Sequence, residues 1–134
     1  MFSTLIQPRS IGTDCLGHIN NDSLPPWFET ARTPILRIFV PDMIVKMESF
    51  PLIIAHTEYE FMDQIFSRYE VEIRSWISRI GKKSFTIYHE AWQRDRLCVK
   101  GSAVVVYYDF QAKQSVPLPK DKRNLLKMHL LHDK

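Results

Sequence analysis

Between Tyr69 and Ile80 the chain reads YEVEIRSWISRI, in which Tyr69, Val71, Ile73 and Ile77 alternate with Glu70, Glu72, Arg74 and Ser78. A period of two sends successive side chains to opposite faces, so the pattern predicts a strand with one wet face. GKK at 81–83 supplies a turn, and SFTIYHEAW then puts Phe85, Ile87 and Ala91 on one side of a second strand. RD turns the chain again into LCVKGSAVVVYYDF, where Ala103 to Tyr108 are apolar or aromatic without alternation. Both faces of such a strand want cover. FSTLIQPRSI reads as an N-terminal strand whose Pro8 suits an edge or a bulge, and PLIIAHTEYEFM reads as extended. Between them, WFETARTPILRIFV spaces Phe28, Ala31, Ile35, Ile38 and Phe39 for one helical face, with Pro34 a candidate kink. After Pro117 and Pro119, KDKRNLLKMHLL predicts a short helix or tail over 119–134.

The elements add up to an α+β domain, one long helix wrapped by an antiparallel sheet of about five strands. One helix covers one face of a sheet. The other face needs a loop or a second copy of the protein, and the apolar final strand favours the copy. The 134 residues suit a single domain, 1–134, with no linker or repeat.

Composition narrows the classes. Apolar residues make up 45% and charged ones 25%, the balance of a soluble globular protein. No apolar run approaches a membrane span, and MFSTLIQPRSIGTD lacks the basic start and unbroken apolar stretch of a signal peptide. The expectation is a cytoplasmic protein with no membrane partner. Cys15 and Cys98 are too few for a disulfide framework. A net charge of +3 without a basic tract argues against nucleic acid, while leaving room for a small anionic ligand.

The candidate chemistry lies in GTDCLGHINND, Gly12 to Asp22. Asp14, Cys15 and His18 offer three metal-ligand types, but no second Cys or His pair at ligand spacing completes a site, apart from His129 and His132 in the tail. No metal is therefore expected. Cys15 with His18 as its base suits only a helix, whereas Gly17 and the asparagines argue for a turn, and no third group orients the pair. A third reading is a carboxylate poised at a helix start. Asn20, Asn21, Asp22 and Ser23 are capping types, and Pro25 with Pro26 suits only a first helical turn, which pins the start near Ser23. Free backbone N–H groups and the positive end of the helix dipole point outward there, where they can hold the negative oxygen of an attacked carbonyl. Asp14 lies just upstream, and Gly17 lets a substrate approach the backbone. An Asx-rich turn that merely caps a helix explains the same residues.

TDCLGHINNDSLPPWFETAR, Thr13 to Arg32, resembles the signature of hotdog-fold acyl-CoA thioesterases of the 4-hydroxybenzoyl-CoA thioesterase-like group. SRIGKKSFTIYHEAW resembles that group's strand turn, and GSAVVVYYDFQAKQSVPLP its closing strand. The similarity runs from about Gln7 to Pro119. It implies a long helix wrapped by a five- or six-stranded antiparallel sheet, assembled as a homodimer or homotetramer. It also implies hydrolysis of a CoA thioester, with Asp14 as nucleophile or general base and the oxyanion donor falling at the backbone N–H of Asn21. Gly17, His18 and Asn20 would shape the pocket, and coenzyme A would enter as part of the substrate, with no separate cofactor. Where many relatives carry an aromatic residue, this chain has Leu24 followed by two prolines. Residues before proline avoid the α region, so a distorted first turn is expected.

Arg79, Lys82 and Lys83 flank one strand turn and match the place where relatives carry basic groups, which suits them to CoA phosphates. A solvated turn is the plain alternative. Tyr59, with His56 and Glu58, is positioned to border an acyl pocket, though ordinary sheet roles serve all three. Glu29 and Arg32 read as an i,i+3 helix pair, and His89 as structural. Two other activities fit the resemblance: hydrolysis of acyl-carrier-protein thioesters, which needs a surface for an acidic partner, and acyl-CoA binding without catalysis.

Overall fold

The computed structural model describes residues 1–8, 19, 21–41 and 50–131. Strand β1 (Phe2–Ile6) precedes a 3-10 turn, Asn21–Ser23, which leads into helix α1 (Pro25–Leu36). Four long strands follow: β2 (Leu52–Phe61), β3 (Val71–Ile80), β4 (Ser84–Gln93) and β5 (Arg96–Asp109). The two-residue β6 (Gln114–Ser115) and helix α2 (Lys120–Lys127) complete the chain. The pairings between the described strands are antiparallel, in the order β1-β3-β4-β5-β2, with β6 on the end of β5. The α+β class agrees with the sequence, the six strands fall within the five or six that the resemblance implies, and α2 lies in the segment read as a short helix or tail.

The alternation read in β3 and β4 is the packing pattern. Val71, Ile73, Ile77, Phe85, Ile87 and Ala91 are buried on one face, and α1 lies on that face with Phe28, Ala31 and Ile35 fully buried against it. On β5, Ala103 and Val105 are buried while Val104, Val106 and Tyr108 keep partial exposure on the opposite face. The described helices leave that opposite face uncovered. The β4–β5 connection is a two-residue hairpin in which Arg94 (φ 51°) and Asp95 (φ 64°) both take left-handed backbone, as the twist of a tight hairpin requires.

Two expectations are corrected. The helix is shorter than its apolar periodicity suggested: α1 ends at Leu36, and Arg37 to Phe39 form a turn. Pro34 supplies no N–H to the Thr30 carbonyl one turn back, which weakens the helix just before it stops. Ile38 and Phe39 still pack on the core, Phe39 stacking on Phe85 at 5.3 Å, so their apolarity reports burial beyond the helix. Second, Leu24 precedes Pro25 yet takes α backbone (φ −80°, ψ −37°) as the helix cap, with no side-chain capping bond. The capping types in Asn21–Ser23 form the 3-10 turn instead. Burial of Leu24, 2% exposed among Phe28, Ala31 and Ile65, offsets the steric bias of the following proline.

Candidate active site

The first turn of α1 is short of donors. Pro25 and Pro26 occupy its first two positions and carry no N–H. The Leu24 N–H donates to the Asn21 carbonyl (3.3 Å), and the Trp27 and Phe28 N–H groups donate to the Leu24 carbonyl (2.9 and 3.3 Å). The amides next along the chain belong to the 3-10 turn ahead of the helix, which begins at Asn21. The chain there is held on both sides. Ile19 is buried and its N–H donates to the Ile65 carbonyl at 2.7 Å, and Leu24 is buried five residues on. Asn21 itself is exposed between these anchors. Asp14, Gly17, His18 and Asn20 lie outside the described residues, as does Cys15.

Tyr59 lies at the same end. It sits on β2 opposite Gly101, its ring 5.0 Å from that of Phe28 on the first turns of α1. A Cβ at residue 101 would stand 2.9 Å from the Tyr59 ring. Glycine is required there because the ring occupies the space a side chain would take. Phe61, on the same strand, is 43% exposed beside Tyr59, with ring centroids 6.4 Å apart. The aromatic floor thus continues to an open rim at the β2 edge.

Arg79, Lys82 and Lys83 are exposed at the β3–β4 turn, at the opposite end of the same face. That turn packs with the C-terminal end of α1: Ile35, Leu36, Ile77, Ile80 and Phe85 share one apolar cluster with Leu126 of α2. Arg123 of α2 donates to the carbonyls of Gly81 (2.8 Å) and Lys82 (3.2 Å), and the Leu118 N–H donates to the Lys82 carbonyl at 2.9 Å. A 12-residue helix at 1.5 Å per residue separates its ends by about 18 Å. Within one chain the basic turn and the Asn21 turn are therefore not brought together.

Sequence reading missed a buried polar group beneath α1. Arg32 is 6% exposed and makes no ion pair with Glu29, which is exposed; the i,i+3 pair is corrected. Phe28, Ala31, Arg32 and Ile35 follow the i, i+3, i+4, i+7 rule of one helical face, so the spacing itself placed Arg32 inward. Below it, Ser75 and His89 form a fully buried pair, Oγ to Nδ1 2.8 Å. Burial, with the nearby Arg32 charge, pulls the His89 pKa down to about 3 and keeps the ring neutral. Among the described residues, Arg32 Nη1 and His89 Nε2 have no hydrogen-bond partner. Gln93, equally buried, clamps the loop after β2 by accepting from the Phe66 N–H (2.9 Å) and donating to the carbonyls of Phe66 (2.8 Å) and Tyr69 (2.9 Å).

Cys98 is buried, and that burial pushes its thiol up, away from the thiolate. Among the described residues no group of His, Cys, Asp and Glu could hold a metal ion, and no helix is long and apolar enough to cross a membrane.

The sequence matches the thioesterase-like superfamily over residues 11–126. A predicted thioesterase from Bacillus stearothermophilus is 35% identical, superposes with a TM-score of 0.91 and aligns over 99% of this chain and 98% of its own. A thioesterase from Thermus thermophilus, solved with coenzyme A and Zn, is 23% identical with a TM-score of 0.81, over 95% of this chain and 92% of its own. A thioesterase-superfamily protein from a Jannaschia species is 19% identical with a TM-score of 0.83, over 98% of this chain and 94% of its own. A search of curated proteins finds no match. With the family match spanning most of the chain and a helix laid across a six-stranded antiparallel sheet, the protein belongs to the thioesterase-like superfamily, as a hotdog-fold thioester hydrolase.

Proposed function

We propose that the chain hydrolyses an acyl-CoA thioester to free acid and coenzyme A, with Asp14 as nucleophile or general base and the Asn21 backbone N–H as oxyanion donor. The observation that carries this reading is the donor-poor start of α1. Two prolines and three internally bonded amides leave the exposed turn at Asn21, pinned by Ile19 and Leu24, to supply the N–H a developing oxyanion needs. The coenzyme A bound by the Thermus thermophilus thioesterase supports CoA as the leaving group. Gly17, His18 and Asn20 shape the entrance, and Tyr59, held over Gly101, borders the acyl group.

In this reading the thioester carbonyl oxygen lies at Asn21 N–H. Asp14 either attacks the carbonyl carbon, expelling the CoA thiolate and leaving an acyl-enzyme that water hydrolyses, or takes a proton from the attacking water. The protein works in the cytoplasm as a homodimer or homotetramer and uses no cofactor beyond the coenzyme A of its substrate. Arg79, Lys82 and Lys83 lie about a helix length from their own chain's Asn21, a separation that the pantetheine arm of CoA or a neighbouring copy's site can bridge.

Thiol release from a panel of short, medium, long and aromatic acyl-CoA esters tests the assignment. Asp14→Ala is expected to abolish turnover on every ester the wild type accepts while leaving the far-ultraviolet circular dichroism unchanged. Near-full turnover by Asp14→Ala removes Asp14 from the mechanism.

A further inference from the structure

A polar row divides the buried face of the sheet. Ile73, Ala91 and Val99 belong to the apolar cluster under the start of α1, and Ile77, Ile87 and Val105 to the cluster under its end. The row between them runs Ser75, His89, Gly101, Tyr59 from β3 to the edge strand β2, each residue paired with the next across the strands. Two of its four positions are small, so the floor dips there. Above it lies α1. Phe28 has its ring 5.0 Å from that of Tyr59 and 5.3 Å from that of His89, and Arg32, one turn on, is close enough for its charge to oppose protonation of His89.

The row carries two donors with nothing to donate to. Arg32 is 94% buried, forms no ion pair among the described residues, and its Nη1 meets no acceptor there. A guanidinium stays charged at every working pH, and keeping that charge out of water is costly unless an anion meets it. With the Ser75 hydroxyl donating to Nδ1 of His89, the single proton of the neutral ring sits on Nε2, which is likewise buried and unpaired. The missing partner is therefore an acceptor with negative charge, since a water satisfies the hydrogen bonds and leaves the charge uncompensated. Tyr59 marks the way in. Its ring supplies the atoms nearest to a Cβ at 101, at 2.9 and 3.1 Å, yet it is only partly buried and stands on the edge strand beside exposed Phe61. Turned outward, the ring vacates the space over Gly101, next to His89 in the row.

We infer that this row is the far end of the acyl pocket and takes an acyl group ending in a free carboxylate, held by Arg32 Nη1 and His89 Nε2 with its chain lying over Gly101. The substrate is then a CoA monothioester of a dicarboxylic acid. The inference rests on the acyl-CoA reading above and makes Arg32 and His89 specificity-determining residues.

Thiol release from esters matched in carbon number tests it: glutaryl-, adipoyl- and suberoyl-CoA against pentanoyl-, hexanoyl- and octanoyl-CoA. The wild type is expected to prefer the carboxylate-ended member of at least one pair by about ten- to a hundredfold in kcat/KM, the usual worth of a hydrogen bond to a charged group. Arg32→Met keeps a long apolar side chain without the charge. It is expected to cancel that preference by raising KM for the carboxylate-ended ester, while the methyl-ended ester stays within severalfold. An Arg32 that serves structure alone would lower both members alike. A wild type that turns over the methyl-ended member of every pair as well or better overturns the inference, whether or not the variant folds, and so does a folded Arg32→Met that keeps the preference. If no ester is hydrolysed, thermal unfolding of the wild type decides: a midpoint raised by free adipate and not by hexanoate keeps the carboxylate site and removes the acyl-CoA reading, whereas an equal response to both acids removes the two together.

Discussion

The two ends of α1 rest on different kinds of core. At its C-terminal end, Ile35 packs among Ile77, Phe85, Ile87, Val105, Leu118 and Leu126, a cluster with no buried polar side chain among the described residues. At its N-terminal end and beneath its middle lie Arg32, Ser75, His89 and Gln93, all buried, with Tyr59 fitted into the space left by Gly101. The first end closes the domain and carries a basic turn on its rim. The second combines an exposed backbone turn, an aromatic floor and a neutral buried histidine, which costs stability unless its partners hold. On the proposed reading, stability and chemistry fall at opposite ends of one short helix, and substitutions at the two ends should differ in what they disturb.

The largest stability effect is expected at the apolar end. Phe85→Ala should lower unfolding free energy by about 3–5 kcal/mol, through lost burial and a residual cavity, with the Michaelis constant nearly unchanged. Urea denaturation beside steady-state kinetics checks both halves; a large shift in Michaelis constant would merge the two ends. Gly101→Ala comes next. Its Cβ at 2.9 Å from the Tyr59 ring should cost about 1–3 kcal/mol and also weaken acyl-group binding. Adding Tyr59→Ala should remove most of the stability cost of Gly101→Ala, so additive double-mutant energies would contradict the cradle.

How much of this contrast the sequence carried depends on the kind of residue. Val71, Ile73 and Ile77 revealed both strand and buried face, because an apolar side chain at period two has one reading. Ser75 sits in the same buried series and was silent, since a serine in an alternating strand looks like either face. Arg32 was legible in principle: it occupies the i+4 position of the helical stripe, but its charge assigned it to water. Leu24 needed the tertiary structure, since only its burial against Phe28 and Ile65 explains α backbone before a proline. The Asn21 turn was placed by its prolines. The separation of Asn21 from Lys82 and Lys83 was not, because sequence spacing says nothing about which end of a helix a strand turn reaches.

A smaller effect distinguishes the ends by pH. His89 titrates at 6.5 when unfolded and near 3 when folded, so the unfolded chain binds the extra proton between those values. Stability attributable to the neutral ring is full above pH 6.5 and is lost as pH falls from there toward 3, at about 1.4 kcal/mol per pH unit while His89 alone titrates. His89→Gln should flatten that part of the pH–stability curve; an unchanged slope would show that other groups set it. The smallest effect belongs to the basic rim. Lys82→Glu with Lys83→Glu should raise the Michaelis constant for acyl-CoA at low salt and leave unfolding free energy within about 0.5 kcal/mol, as exposed charges do. Kinetics unchanged at low salt would reduce the turn to a solvated hairpin.

The catalytic account depends on a backbone hydrogen at one residue, and a pair of substitutions separates it from the side chain that shares the position. Asn21→Ala keeps the N–H and should retain turnover within severalfold. Asn21→Pro deletes the donor at the same place and should lower kcat by about a hundred- to a thousandfold, the usual cost of one oxyanion donor, with the fold verified by circular dichroism. A folded Asn21→Pro protein that turns over acyl-CoA as fast as Asn21→Ala would contradict the account.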